Sequence, residues 1–166
     1  MEKMLIIGAG AAGMMTAIKA SEKYSVTIVE KNDRPGKKLY ITGKGRCNLT
    51  NASDEEIFLR NVVTNPKFLY SAIYSYNSDN VMSDFESWGV PLKIERGNRV
   101  FPKSDHSSDI IMALRNELSR RGVKIIYNSA VNELITENYT PEKKKDRYEH
   151  IVRGARLSDD SSIIAD

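Results

Sequence analysis

The hydrophobic pattern of this chain changes period several times, and each change marks an element. Residues 4–7, Met-Leu-Ile-Ile, form a short continuous apolar run of the kind a strand buried on both faces needs. Met14, Ala17 and Ile18 then recur at helical spacing, and Ser21, Glu22 and Lys23 end that helix before a second apolar run at 25–29. Strand, helix and strand in this order predict a βαβ unit with parallel strands. Further on, Ser53 or Asp54 is placed to cap a short helix through Val62, and Pro66 to open another through Tyr76. Asn77 or Ser78 starts a third, in which Val81, Phe85 and Trp88 share one face and Gly89 is placed for the C-terminal cap. That periodicity predicts a packed face with Trp88 in the core.

Residues 90–95 and 99–101 read as a hairpin about the turn Arg96-Gly97-Asn98. The serines and aspartates of 104–109 can cap a helix whose face is marked by Ile111, Leu114 and Leu118 and whose end is Arg120-Arg121-Gly122. Residues 123–127 add a strand to the parallel sheet. Segments 133–137, 149–157 and 161–165 then read as a β-meander, with 139–147 as a charged hairpin tip.

The chemistry begins between the first strand and the first helix. Gly8, Gly10 and Gly13 fall in the G-x-G-x-x-G spacing. Gly8 serves the tight turn, Gly10 lets backbone approach a pyrophosphate, and Gly13 lets the helix pack on the sheet. The first N–H groups of that helix have no intrahelical partner and point, with the positive helix end, at an anion. A plain structural turn can carry the same glycines. Glu30, at the end of the second strand and about 20 residues on, is where a dinucleotide fold places an acid for ribose hydroxyls, and the two features together point to a dinucleotide site. A carboxylate there repels a 2′-phosphate, which favours NAD or the adenosine half of FAD over NADP. Lys31 beside it softens this only slightly and is counted with Glu30 among the cofactor-binding positions.

A second glycine-rich segment, 42–51, follows an exposed basic turn at 31–38. Its glycines admit close backbone approach, Lys44 and Arg46 bring cations, and Asn48, Thr50 and Asn51 bring amide and hydroxyl groups, which suits a bound polyanion. The alternative is a solvated turn with asparagines in left-handed conformations.

Composition narrows the classes. With 166 residues, 40% of them hydrophobic and 28% charged, the chain has the make-up of one ordinary globular domain. A formal net charge of +3 does not argue for nucleic acid. Tyr70, Tyr74 and Tyr76 lack an accompanying basic stripe, and the lysines at 143–145 read as a solvated loop. Cys47 is the only cysteine and there are two histidines, so no internal disulfide or cysteine-based metal site is expected, and a reducing cytoplasm fits. The apolar stretch through Ile18 is too short and glycine-rich to span a bilayer. His106 has no base or nucleophile beside it, and no catalytic role is assigned to it.

Two long strings carry a family resemblance beyond the glycine motif. Residues 35–51 read Pro-Gly-Lys-Lys-Leu-Tyr-Ile-Thr-Gly-Lys-Gly-Arg-Cys-Asn-Leu-Thr-Asn, and residues 99–105 read Arg-Val-Phe-Pro-Lys-Ser-Asp. With the glycine motif before them they resemble the YhiN/BaiN-like flavoprotein family of NAD(P)/FAD-dependent oxidoreductases, over nearly the whole chain. The resemblance implies an α/β, Rossmann-like FAD-binding domain over 1–166, with a parallel sheet, a helical and hairpin insertion at 53–101 and a β-meander. It implies the N-terminal part of a longer protein, ending before a substrate domain and expected to be inactive alone.

The implied cofactor is FAD, with NAD(P)H as reductant and a small molecule as substrate; no nucleic-acid or membrane partner is implied. Position by position, Gly8, Gly10, Ala12 and Gly13 would hold the pyrophosphate and Glu30 the adenosine ribose. Lys38, Thr42, Gly45, Arg46, Cys47 and Asn48 would line the flavin and pyrophosphate, and Val131 would meet the adenine through backbone. Lys44 or Arg46 near the ring would stabilise an anionic reduced flavin. Without a second cysteine, Cys47 is expected to pack rather than to act as a redox thiol. No catalytic acid or base is named. Tyr40 stands where an aliphatic residue is expected and His106 where a lysine is. Three other classes stay open on the residues alone: an NAD-binding dehydrogenase domain, a non-catalytic nucleotide-binding module and a nucleic-acid binder.

Overall fold

A computed structural model describes residues 1–139 and 150–166. The chain enters on β1 (Lys3–Ile7), turns through the glycines into α1 (Ala11–Ala20) and returns on β2 (Ser25–Val29). A one-turn helix α2 (Lys37–Ile41), a 3-10 turn (Thr42–Gly45) and the two-residue strand β3 (Thr50–Asn51) follow. Next come α3 (Glu55–Arg60), a 3-10 turn (Pro66–Leu69) running into α4 (Tyr70–Ser75), and α5 (Ser78–Ser87). The hairpin β4 (Leu92–Glu95) and β5 (Arg99–Pro102) leads to α6 (Ser107–Arg120), and the chain ends with β6 (Lys124–Ile126), β7 (Val131–Asn138), β8 (His150–Leu157) and β9 (Ser162–Ile164).

Contacts divide these elements into two compact units, one of Met1–Lys37 with Asn116–Asp166 and the other of Lys38–Arg115. In the first, β1, β2 and β6 form a parallel sheet in the order β1-β2-β6, with Ile7 opposite Val29 and Val29 opposite Ile126. The chain is apolar here for the reason its pattern suggested: Val26, Ile28 and Val29 are buried, and α1 lays Met14, Ala17 and Ile18, all fully buried, against β1 and β2. The antiparallel meander β7-β8-β9 completes this unit. Gly154 makes its tight pairing possible, because a Cβ there would stand 2.1 Å from the Ile163 carbonyl oxygen. The tip expected at 139–147 lies, apart from Tyr139, outside the described residues.

The second unit builds an antiparallel sheet in the order β3-β5-β4. Its helices start where their caps are. The Asp54 carboxylate accepts the Ile57 N–H at 2.7 Å, and Asn77 and Asn80 each accept the other's backbone N–H to close a capping box at α5. Phe85 is the buried anchor of α5, which packs on β3 and β4. Trp88 corrects the sequence expectation: it is half-buried, its ring 5.0 Å from that of Phe85, because α5 ends at Ser87 and Trp88 is its C-cap rather than part of its packed face. The strand β3 is also new, since two residues carry no periodicity and pair only because Val100 and Arg99 lie opposite.

Candidate dinucleotide site

In the first unit the parallel register that places Ile7 against Val29 brings Gly8 level with Glu30. The Gly8 N–H donates to the Val29 carbonyl at 2.8 Å, and the chain turns with Gly8 at φ +97°. Each motif glycine has a separate cause. Gly8 is demanded by its backbone angle. Gly13 is demanded by packing, since a Cβ there would lie 2.0 Å from the Gly8 carbonyl oxygen, and backbone cannot yield that far. Gly10 is demanded by neither: its φ is −79°, and a Cβ built on it meets no protein atom within 4 Å. What the absent side chain leaves uncovered is the start of α1, where Gly10 is the N-cap, no side chain caps the helix, and no acidic residue lies in the first turn. Ala12, like Gly10, is exposed there. The first N–H groups of the helix are thus left uncapped by any side chain, which is the chemistry an external anion needs.

Glu30 is 7% exposed, and both of its carboxylate oxygens accept hydrogen bonds from within the protein. Its Oε2 accepts the Ala9 N–H at 2.7 Å, and its Oε1 accepts both the Asn32 backbone N–H at 2.9 Å and the Asn32 side-chain amide at 2.5 Å. Burial opposes its charge, yet the hydrogen bonds from Asn32 and Ala9, with Lys31 nearby, outweigh burial and hold the carboxyl below its ordinary range. Lys37 donates to the Asn32 side-chain oxygen at 3.3 Å, and the backbone of Glu30 and Asn32 accepts N–H groups from Ser129 and Asn128 at 3.0 and 3.1 Å. The turn after β6 is thereby tied to Glu30, and Val131, half-buried opposite Leu157, starts β7 two residues later.

The basic turn is not wholly exposed. Lys31 and Lys38 are exposed, but Pro35 and Gly36 are buried, because the Gly36 N–H donates to the Ala9 carbonyl at 2.8 Å. Asn32 went unnoticed in the sequence, although an asparagine two residues beyond a strand-ending glutamate is a recognisable local hydrogen-bonding signal.

In the second unit, Lys38 lies in α2, and Thr42 opens the 3-10 turn, its side chain lying outside what is described. Lys44, Gly45 and Cys47 all take positive φ, at +56°, +84° and +59°. Cys47 is 3% exposed, and burial pushes its thiol up. Asn48 is exposed, its amide oriented to donate to the Val100 and Thr50 carbonyls at 3.2 and 3.0 Å. Arg46 donates from Nε to Asp105 Oδ1 at 2.7 Å and from Nη2 to Glu95, and its guanidinium stacks 4.2 Å from the centre of the Phe101 ring. Those hydrogen bonds raise the arginine further, while Lys93 and then Arg46 hold Asp105 below its usual range and Arg46 does so for Glu95. Among the described residues, no group of three or more His, Cys, Asp or Glu side chains could hold a metal ion. No helix among them is long and apolar enough to cross a membrane.

A parallel βαβ unit whose glycine turn opens onto an uncapped helix, with a held glutamate at the end of the second strand, defines a Rossmann-type dinucleotide-binding domain. The model of the HI0933-like protein Rossmann domain matches residues 2–165. The chain belongs to that family. It is 34% identical over 138 residues to the 3-dehydro-bile acid delta(4,6)-reductase of Clostridium scindens, covering 81% of this chain and 33% of that protein. It is 29% identical over 131 residues to the ribosomal RNA dihydrouridine synthase of Haemophilus influenzae, covering 78% and 32%. The chain thus spans about a third of the length of these curated relatives. Among solved structures, the 3-ketosteroid delta1-dehydrogenase of Sterolibacterium denitrificans shares the fold with a TM-score of 0.65 at 15% identity, over 99% of this chain and 45% of that one. The glycine oxidase of Bacillus cereus does so with a TM-score of 0.52 at 15% identity, over 99% and 53%.

Proposed function

We propose that this chain holds the adenosine diphosphate end of FAD at the start of α1, as the cofactor-binding portion of an oxidoreductase. The observation that carries the reading is Gly10: it is glycine at a place where neither backbone angle nor packing asks for one, which a pyrophosphate approaching the backbone explains. Gly8, Ala12 and Gly13 complete the cradle; Glu30 takes the ribose hydroxyls, Lys31 lies beside it, and Val131 meets the adenine through backbone. When bound, FAD supplies the redox chemistry, which leaves binding and orientation to the chain. Lys38, Thr42, Gly45, Arg46, Cys47 and Asn48 belong to the second unit, and their assignment to the cofactor rests on the resemblance of their string.

For the whole protein we propose NAD(P)H as reductant, a small molecule as acceptor and a cytoplasmic setting, the last supported by the lone buried Cys47. Reduction of a cyclic, steroid-like substrate is favoured by the bile acid reductase relative. An RNA base is a second substrate class, supported by the ribosomal RNA dihydrouridine synthases of Haemophilus influenzae and Escherichia coli, which are also relatives.

The test is titration of the purified chain with FAD, followed by flavin fluorescence and by absorbance near roughly 450 nm. Saturable binding that Gly10→Val abolishes is the expected result. A chain that titrates with NAD but not with FAD overturns the proposal.

A further inference from the structure

Arg46 sits in the second unit in a cluster of four charges whose geometry leaves it an unusual partner for a phosphate. Two carboxylates, Glu95 and Asp105, face one guanidinium, and Lys93 joins both: its Nζ lies 2.6 Å from Asp105 Oδ2 and 3.5 Å from Glu95 Oε1. Two cations against two anions leave the cluster neutral, and a neutral cluster attracts no polyanion. Both Nε and Nη2 are committed to carboxylates, and one face of the guanidinium is covered by Phe101. The partners come from three places: Glu95 from β4, Phe101 from β5 and Asp105 from the turn beyond it.

The backbone around Arg46 explains what such a grip is for. Lys44 and Cys47 hold left-handed angles that non-glycine residues adopt only when their surroundings impose them. On the far side, the Leu49 N–H donates to the Val100 carbonyl at 2.8 Å, and Thr50 pairs with Val100. The strained stretch 44–47 is therefore pinned to the β4–β5 hairpin at two points, by the Leu49 backbone after it and by the Arg46 side chain within it.

We propose that Arg46 is a positioning residue, a clamp that fixes residues 44–48 through Asp105 and Glu95 instead of offering its charge to the cofactor, and that Asp105 and Glu95 are functional partners in that role. The inference rests on the reading that this loop meets FAD only where it bears on cofactor affinity; the clamp itself is testable without ligand.

Cys47, the only cysteine, is the reporter. Its labelling by an aromatic disulfide reagent is timed in the 166-residue chain unaltered and as Arg46→Ala, Asp105→Asn, their double variant and Arg99→Ala, with FAD affinity and the urea midpoint measured on each. The clamp predicts slow labelling in the unaltered chain and in Arg99→Ala. Each clamp variant labels about tenfold faster and loses FAD affinity by a similar factor, and the double variant is no worse than either single one. Asp105→Asn that leaves the thiol protected, or that tightens FAD while Arg46→Ala weakens it, overturns the proposal in favour of direct contact with the ligand. Labelling that merely tracks the fall in the urea midpoint overturns it as well. If the unaltered chain binds no FAD, the proposed function fails, and the thiol measurements still decide the clamp.

Discussion

The carboxylate of Glu30 accepts the backbone N–H of Ala9 at 2.7 Å, joining the end of β2 to the glycine turn across 21 residues of sequence. One side chain satisfies the buried turn and, in the proposed site, is also the acid that meets the ribose hydroxyls.

Removing it affects both. Glu30→Ala leaves the Ala9 N–H and the Asn32 amide without their acceptor in a place where Ala9 is fully buried, and is expected to cost about 1–3 kcal/mol in urea unfolding as well as FAD binding. Because the carboxyl titrates below its ordinary range, its contribution is complete above the unfolded-state carboxylate pKa and is lost as pH falls through its folded one. Unfolding curves recorded from neutral to acid pH would show that difference between the two proteins narrowing, and a constant difference would refute it.

Gly10 and Gly13 are expected to respond oppositely to the same methyl group. Gly13→Ala drives a Cβ into the Gly8 carbonyl, so the β1-to-α1 turn must shift and the chain should lose cooperative unfolding or most of its stability. Gly10→Ala meets no protein atom and should cost at most about 1 kcal/mol as an N-cap change, yet weaken FAD binding. Thermal melts set beside FAD titrations distinguish the two, and a Gly10→Ala protein binding FAD at full strength would remove the main support for the site.

Glu117 supplies a pH dependence that no ligand is needed to see. It is 5% exposed, donated to by Arg120 and Arg121, and Arg121 also reaches the Ile18 carbonyl at the end of α1 and the Glu22 carboxylate. The hydrogen bonds from Arg120 outweigh burial, Arg121 adds to them, and the carboxyl is pulled down to about 2. A depressed carboxyl stabilises the fold above its unfolded-state value, and that stabilisation disappears as pH drops from about 4.5 to about 2. Since Arg120 is largely exposed and screened, the loss should be on the order of 1–2 kcal/mol. Glu117→Gln should flatten this part of the stability curve; an unchanged acid limb would count against it.

Gly154→Ala places a Cβ 2.1 Å from the Ile163 carbonyl oxygen at a φ of +159°, between paired strands that cannot separate without breaking their ladder. The meander should lose its β8–β9 pairing, at a cost above about 2 kcal/mol. Hydrogen exchange would show it directly, as loss of protection confined first to β8 and β9. Uniform protection would contradict it.

The elements that sequence alone determined are those whose causes lie within a turn or two of chain. The runs at 4–7 and 25–29, the spacing of Met14, Ala17 and Ile18, the caps at Asp54 and Asn77 and the Arg96-Gly97-Asn98 turn each act locally, and each predicted element appears where expected. The glycine motif with Glu30 belongs with them, because a parallel βαβ unit of that length has one register and brings the two together.

What only the tertiary structure decided depends on partners far away in sequence. Trp88 falls at the spacing of the α5 face, but its burial depended on where the helix stops, and as the C-cap it is only half-buried. Gly36 is buried by a bond to Ala9, β3 exists because Val100 lies opposite Thr50, and Arg46 finds in Asp105 a partner 59 residues on that no local pattern announces. Periodicity and caps report the environment a residue makes for its neighbours. Which partner a charge meets inside the protein is settled by groups that arrive only when the chain has folded.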